Sequence, residues 1–154
     1  MERVAVFSNI LVALDGSEVS QQALFEAVDQ AKIWNAKIQV IYVMETAKFT
    51  IDPMEGTIAM GDTLRQQMYP LFKREGEDVL KGTKKYCADK GITVITHLKY
   101  GDPRIEILSL SEKEKCDLIV VASRGKSNID RLLLGSVRSF VVTHNKVKTL
   151  VVRG

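Results

Sequence analysis

The residues best suited to hold a small anion lie in one stretch, SRGKSNIDRLLLGS, at positions 123–136. It combines two glycines, several hydroxyls and several positive charges, and it follows directly on the apolar run DLIVVA. Glycine lets an oxygen atom approach the backbone, hydroxyl groups donate hydrogen bonds, and cations offset negative charge. This combination favours a phosphate as the ligand.

The end of this stretch, Gly135-Ser136, precedes the segment VRSFVVTHN. Val137, Phe140 and Val141 have helical spacing, so the pattern predicts that Gly135 and Ser136 lie at a helix N-terminus. Free backbone N–H groups and the helix dipole bind anions there. The alternative is that the two residues only cap the helix.

The cations Arg124, Lys126 and Arg138 flank the same region. One or two of them could meet a phosphate, although isolated surface cations are usually only solvated. A Walker A motif is excluded, because Gly125 opens a Gly-Lys-Ser triplet but the upstream position of the motif holds Val120.

The elements that would position these residues show as apolar runs separated by helical patterns. Continuous rather than alternating runs are typical of strands covered on both faces, as in a parallel sheet. The strands are predicted at Ile10–Leu14, Ile38–Met44, Leu118–Ala122 and Thr149–Val152, with a weaker one in ITVITHLKY from Ile92. Alternating strands and helices predict an α/β fold with a parallel sheet and right-handed crossovers.

The helix starts carry their own signals. Ser17 is a plausible N-cap for a helix with an apolar stripe, and Asp102-Pro103 combines an N-cap with proline at the first helical position. A third helix is predicted from about Asp62 to Lys90, ended by Gly91. The segment Glu45–Gly61 has little pattern and is expected to be a long excursion, either a surface loop without a role or a lid or partner surface.

In an open parallel sheet, ligands bind beyond the carboxyl ends of the strands where the strand order reverses. The loops leaving the first and fourth strands are Ala13-Leu14-Asp15-Gly16-Ser17 and Ala122-Ser123-Arg124-Gly125. Asp15 has two interpretations. It could help to start the following helix, or its carboxylate could accept hydrogen bonds from a ribose hydroxyl or a purine edge.

The bulk composition fits one globular domain spanning residues 1–154. A net charge of +3 is too weak to indicate nucleic-acid binding. Cys87 and Cys116 are far apart and are expected to be reduced thiols, and the apolar N-terminus is too short for a membrane span and has no cleavage-site pattern. We therefore expect a cytoplasmic location without membrane association.

In the motifs described above and along nearly its whole length, the chain resembles the ATP-binding members of the universal stress protein (UspA-type) family. The resemblance rests on ILVALDGSEVSQQAL, GDPRIEIL and DLIVVASRGKSNIDRLLLGSV. ATP-binding members carry a glycine, two residues, a second glycine, nine residues, and then Gly with Ser or Thr. Here Gly125 matches the second glycine and Gly135-Ser136 the end, whereas Ala122 replaces the first glycine.

The resemblance implies roles for particular residues. Asp15 matches the acidic residue at the ribose and base, the backbone of Val43 matches the group that reads adenine, and Ser136 and Val137 match the start of the triphosphate-binding helix. It also implies a Rossmann-like five-stranded sheet of order 3-2-1-4-5 with helices on both faces. A homodimer would form through the last strand, in KTLVVRG.

We therefore expect a stress-linked regulatory protein that binds ATP, with a Mg or Mn ion held by the phosphates rather than by side chains. No catalytic residue is predicted, since neither a Ser/His/Asp nor a Cys/His arrangement is recognisable. One alternative is a slow ATP hydrolase on the same site. The other is a dimeric protein-interaction module that has lost nucleotide binding, with Ala122 marking the decayed site.

Overall fold

The computed structural model describes residues 6–45, 62–123 and 130–154, without the side chains of 62–65 and 130–136. Strands and helices alternate along the chain. They are β1 (Asn9–Leu14), α1 (Glu18–Trp34), β2 (Lys37–Glu45), α2 (Asp62–Asp89), β3 (Val94–Gly101), α3 (Pro103–Lys113), β4 (Leu118–Ala122), α4 (Asp130–His144) and β5 (Lys148–Val152). The predicted excursion after β2 lies outside the described residues, apart from Glu45.

The strands form one parallel sheet of order β3-β2-β1-β4-β5. This confirms the predicted fold class and strand order. The order reverses between β1 and β4, which makes that gap the switch point of the sheet.

Each face of the sheet carries its own apolar core. On one face, Ile10 and Val12 of β1 pack beneath α1 and α2, and on the other Leu11 packs with α3 and α4. All three side chains are fully buried. Burial of a side chain of this size contributes about 1.5–3 kcal/mol, so the continuous apolar run of β1 anchors the sheet between two helical layers.

Local caps fix where the helices begin. The Ser17 hydroxyl accepts a hydrogen bond from the backbone N–H of Ser20 at 3.1 Å, and the Asp102 carboxylate accepts one from the N–H of Arg104 at 2.9 Å. Gly16, just before the first cap, has a φ of 85° that suits glycine. Both predicted N-caps are confirmed.

The prediction that Gly135 and Ser136 open the last helix is wrong. The helix α4 spans Asp130–His144, so both residues lie inside it, beyond its first turn. The preceding DRLLL supplies an acidic residue and good helix formers, which extend the helix backwards. Backbone N–H groups at this depth are normally bonded to the carbonyl groups four residues earlier.

Two further observations concern membrane helices and the cysteines. In the parts of the chain that the structure describes, no helix has the length and apolar character needed to cross a membrane. Cys87 and Cys116 are free and buried. Burial raises the pKa of the Cys116 thiol to about 12, which suppresses its reactive thiolate form.

Candidate functional site

A crevice opens where β1 and β4 separate. Their paired register ends at Val12 and Val120, although β1 continues to Leu14 and β4 to Ala122. On its other side, β4 stays paired with β5 as far as Ala122 and Val152. The separation therefore belongs to the switch point, at the carboxyl ends of the strands.

This crevice is the floor of a cleft, which we call the switch-point cleft. Its free volume, including the part open to solvent, is about 510 Å³. Its described walls come from the ends of β1, β2 and β4 and from α1, α3 and α4. They are Ala13, Leu14, Asp15, Ser20, Ile41, Val43, Glu45, Pro103, Ile107, Val121, Ala122, Val137 and Arg138.

Most of the described residues that the sequence assigns to a ligand meet in this cleft. They are Ala13, Leu14, Asp15, Val43, Ala122 and Val137. Arg124 and Gly125 lie outside the described residues, and the side chains of Gly135 and Ser136 are not described. Ligand contact by all ten of these residues remains a prediction.

Asp15 has a structural role in the loop after β1. Its Oδ1 atom accepts a hydrogen bond from the backbone N–H of Ser17 at 2.9 Å, which orients the residue that caps α1. Among the described residues, none donates a hydrogen bond to Oδ2. One oxygen thus holds the loop, and the second can accept a hydrogen bond from a ligand in the cleft.

The end of β2 presents backbone toward the same cleft. The ladder between β1 and β2 ends at Leu14 and Tyr42, whereas β2 continues to Glu45. Val43 is therefore paired with Lys99 of β3 but lies beyond the last residue of β2 that is paired with β1. Backbone polar groups beyond a ladder can bond to a ligand, which suits the role expected for Val43.

Ala122 stands at the last position of β4 and is 7% exposed. Its backbone is not among the described positions with positive φ, so the site does not require the left-handed conformation that glycine would permit there. Its methyl group packs with the core beneath α1 and α2 while lining the cleft. Close approach of a ligand is the remaining reason for a glycine at this position.

Several cleft residues were not assigned to the ligand from the sequence. Glu45 and Arg138 are the charged ones, while Pro103 and Ile107 present one face of α3. Glu45 ends β2 and Pro103 begins α3, so the rule that ligands bind at carboxyl ends of strands could have identified both. Arg138 carried only the weak signal of a flanking cation.

The sides of the cleft differ in charge. Asp15 and Glu45 lie at the ends of β1 and β2, and Arg138 lies on α4. The pKa of Tyr42 is raised, mainly by burial and further by the negative charges of Asp15 and Glu45. The β1–β2 side is thus acidic, and the α4 side carries a cation.

Solved structures share this fold. The hypothetical protein MJ0577 superposes with a TM-score of 0.79 at 24% identity, over 97% of this chain and 98% of that one. A universal stress protein in complex with cAMP gives 0.63 at 24% identity, over 95% and 96%. The Arabidopsis thaliana family protein At3g01520 with AMP bound gives 0.64 at 18% identity, over 95% and 91%.

Sequence comparison shows the family. The chain is 34% identical to universal stress protein MJ0531 of Methanocaldococcus jannaschii, over 96% of this chain and 83% of that one. It is 33% identical to universal stress protein YxiE of Bacillus subtilis, over 96% and 100%. Residues 7–153 match the family model described as the universal stress protein family. The chain therefore belongs to the universal stress protein family.

Proposed function

We propose that this protein is a cytoplasmic, stress-linked regulator that binds ATP in the switch-point cleft. The observation that carries the proposal is the meeting of Asp15, Val43, Ala122 and Val137 in one cleft at the switch point of the sheet. These residues come from the loop after β1 and from β2, β4 and α4. The cleft brings together positions that the strand-end rule and the family resemblance had indicated from the sequence.

The walls suit the parts of an adenine nucleotide. Val43 offers an apolar side chain and an open strand end to the base, and the second oxygen of Asp15 can accept a hydrogen bond from a ribose hydroxyl. Arg138 offers positive charge to phosphate. The solved neighbours bound to cAMP and AMP support an adenine nucleotide as the ligand.

A divalent ion would be held by the phosphates. Within the described ranges, no group of three or more His, Cys, Asp or Glu side chains could hold a metal ion. When bound, Mg or Mn would neutralise phosphate charge. The chain itself would contribute the orientation of the nucleotide.

The role we propose is a switch in which bound nucleotide changes the dimer or its surface. In this proposal the Asp15 carboxylate, held by the Ser17 N–H at 2.9 Å, meets the ribose and not the phosphates, so it is not placed to activate water for hydrolysis. This arrangement favours retention of ATP over its hydrolysis.

The test combines binding with turnover. Purified protein is assayed for retained adenine nucleotide, titrated with ATP and magnesium by calorimetry, and incubated with ATP to measure product. We expect binding without appreciable turnover and a change in light scattering on ATP addition. Multiple turnovers would identify a hydrolase instead, and no binding at millimolar ATP would refute nucleotide binding.

The proposed homodimer uses the free edge of β5. Among the described strands, β5 pairs with β4 alone, and the Val152 carbonyl accepts a hydrogen bond from the Ser123 N–H at 2.8 Å. In a parallel ladder the backbone groups of alternate residues point to opposite sides, so those of Val151 point to the free edge.

Replacing the Val151 N–H with proline tests this edge. We expect Val151→Pro to give monomers in sedimentation experiments, because proline removes the outward donor and blocks strand pairing. Val151→Ala is the matched control, since it loses side-chain packing but keeps the N–H and should remain dimeric. Dimers in the proline variant would place the interface elsewhere.

A further inference from the structure

Arg138 connects the cleft wall on α4 to the end of β4. Its Nη1 atom donates a hydrogen bond to the Ser123 carbonyl at 3.1 Å, and the side chain is half-buried. Ser123 follows Ala122 directly, at the edge of the cleft. The guanidinium is therefore held in place at the mouth of the switch point.

Arg138 is also the one cation among the described residues that line the cleft. No described carboxylate forms an ion pair with it. Arg104, beside the cleft residue Pro103, differs in this respect, because its guanidinium is bonded to Asp102 at 2.8–3.2 Å. The positive charge of Arg138 is thus available to a ligand, whereas that of Arg104 is paired.

We propose that Arg138 determines specificity by making the cleft discriminate phosphorylated adenine nucleotides from the uncharged nucleoside. The inference rests on the proposed function and adds a residue that selects the ligand class. The bond to Ser123 uses one guanidinium N–H and leaves others to meet a phosphate oxygen. Partial burial strengthens this attraction relative to water.

Opposed charges give the selection a direction. The Asp15 carboxylate follows β1, where it repels an anionic phosphate, and the Arg138 guanidinium stands on the α4 side, where it attracts one. A nucleoside without phosphate is uncharged, so this difference in charge between the two sides hardly affects its binding. Arg138 should therefore strongly increase the affinity for ATP and hardly change the affinity for adenosine.

A purely structural role for Arg138 predicts a different result. If the residue only joins α4 to β4 through Ser123, its loss should weaken ATP and adenosine equally, because both need the same cleft. Arg138→Gln keeps an amide donor and removes the charge. Arg138→Lys keeps the charge and removes the planar fork.

The experiment is calorimetric titration of the full chain with ATP and with adenosine, in magnesium buffer at low and high NaCl. We expect Arg138→Gln to weaken ATP about tenfold and adenosine by less than about twofold, and to flatten the salt dependence of ATP binding. Arg138→Lys should lie between the two proteins. Arg74→Gln removes an exposed cation on α2 and serves as the matched control, with both affinities unchanged.

The outcomes separate the two proposals. Equal weakening of ATP and adenosine in Arg138→Gln, or no change in either, overturns the specificity role while leaving nucleotide binding intact. Wild-type protein that binds neither ATP nor adenosine overturns the proposed function and this inference together. Thermal unfolding of each variant, compared with wild type, identifies any loss that comes from the fold.

Discussion

The two ends of the β1–β4 strand pair are built in opposite ways around an aspartate. At the amino end, the Asp117 carboxylate accepts from the Ser8 N–H at 2.8 Å, the Ser8 hydroxyl at 2.9 Å and the Asn9 N–H at 3.1 Å. The Asp117 N–H in turn donates to the Asn9 carbonyl at 2.9 Å. This end of the strand pair is closed.

At the carboxyl end the same two strands have separated, and the Asp15 carboxylate accepts one hydrogen bond from the described residues, donated by the Ser17 N–H. The difference shows that residue type and strand-end position do not by themselves identify a binding carboxylate. What distinguishes the two aspartates is hydrogen-bonding capacity: within the described ranges, the chain uses both oxygens of Asp117 but one oxygen of Asp15. The comparison supports a role in stability for Asp117 and favours the proposed role of Asp15 in ligand binding.

The largest expected effect is on the closed end. Asp117→Ala should lower the free energy of unfolding by about 3 kcal/mol, because three donors lose a charged acceptor. The loss is not larger because the two Ser8 donors lie at a partly solvated surface, where water replaces part of the interaction. Urea denaturation measures this loss. ATP affinity of the folded variant should stay within about twofold of wild type.

The control for Asp117→Ala is Asp29→Ala, which removes an exposed carboxylate from α1 and should leave stability nearly unchanged. If both variants lose little stability, the closed end does not depend on Asp117. If Asp117→Ala also weakens ATP binding strongly, the proposal that the closed end serves stability and the open end serves the ligand is wrong.

At the open end we expect the opposite result, with a large effect on ATP affinity and a small one on stability. Asp15→Ala should weaken ATP about 30-fold, the equivalent of about 2 kcal/mol for a charge-assisted hydrogen bond. The free energy of unfolding should fall by no more than about 1 kcal/mol, the cost of the single bond to Ser17. Calorimetry and urea denaturation on one preparation give both numbers.

Asp15→Asn sharpens this result. The amide can keep an oxygen on the Ser17 N–H but carries no charge, so it should retain stability and lose part of the ATP affinity. Full ATP affinity in Asp15→Ala would remove the carboxylate from the nucleotide site.

The sequence predicts the scaffold well where its local signals are strong. The continuous apolar runs of β1 and β4 reflect burial on both faces. The weaker pattern of β3 has a physical cause, since β3 is an edge strand and Ile95 remains 43% exposed. Ser17 and Asp102 cap helices because capping depends on neighbours in the chain.

Contacts between distant residues could not be predicted in this way. Ser8 and Asp117 are 109 residues apart, and nothing local marks them as partners. Arg138 could not be told from other surface cations until its distance to Ser123 was known. The start of α4 was missed because glycine followed by serine is a common helix-start signal, while the preceding DRLLL also favours helix.

The smallest expected effect compares one substitution at the two ends. Ala122 lies in the cleft and Ala36 just before β2, at the opposite end of the sheet, and both are 7% exposed. Replacement of either by glycine should lower the free energy of unfolding by about 0.5–1 kcal/mol through added backbone entropy. Only Ala122→Gly should also tighten ATP binding, by about 1 kcal/mol or less, because removal of the methyl group lets the nucleotide approach the strand end. Titration of both variants with ATP measures the difference. If Ala122→Gly and the wild type bind ATP with equal affinity, the alanine at this motif position does not hinder the ligand. A much larger gain of ATP affinity in Ala122→Gly would indicate that the wild-type site had lost its capacity to bind.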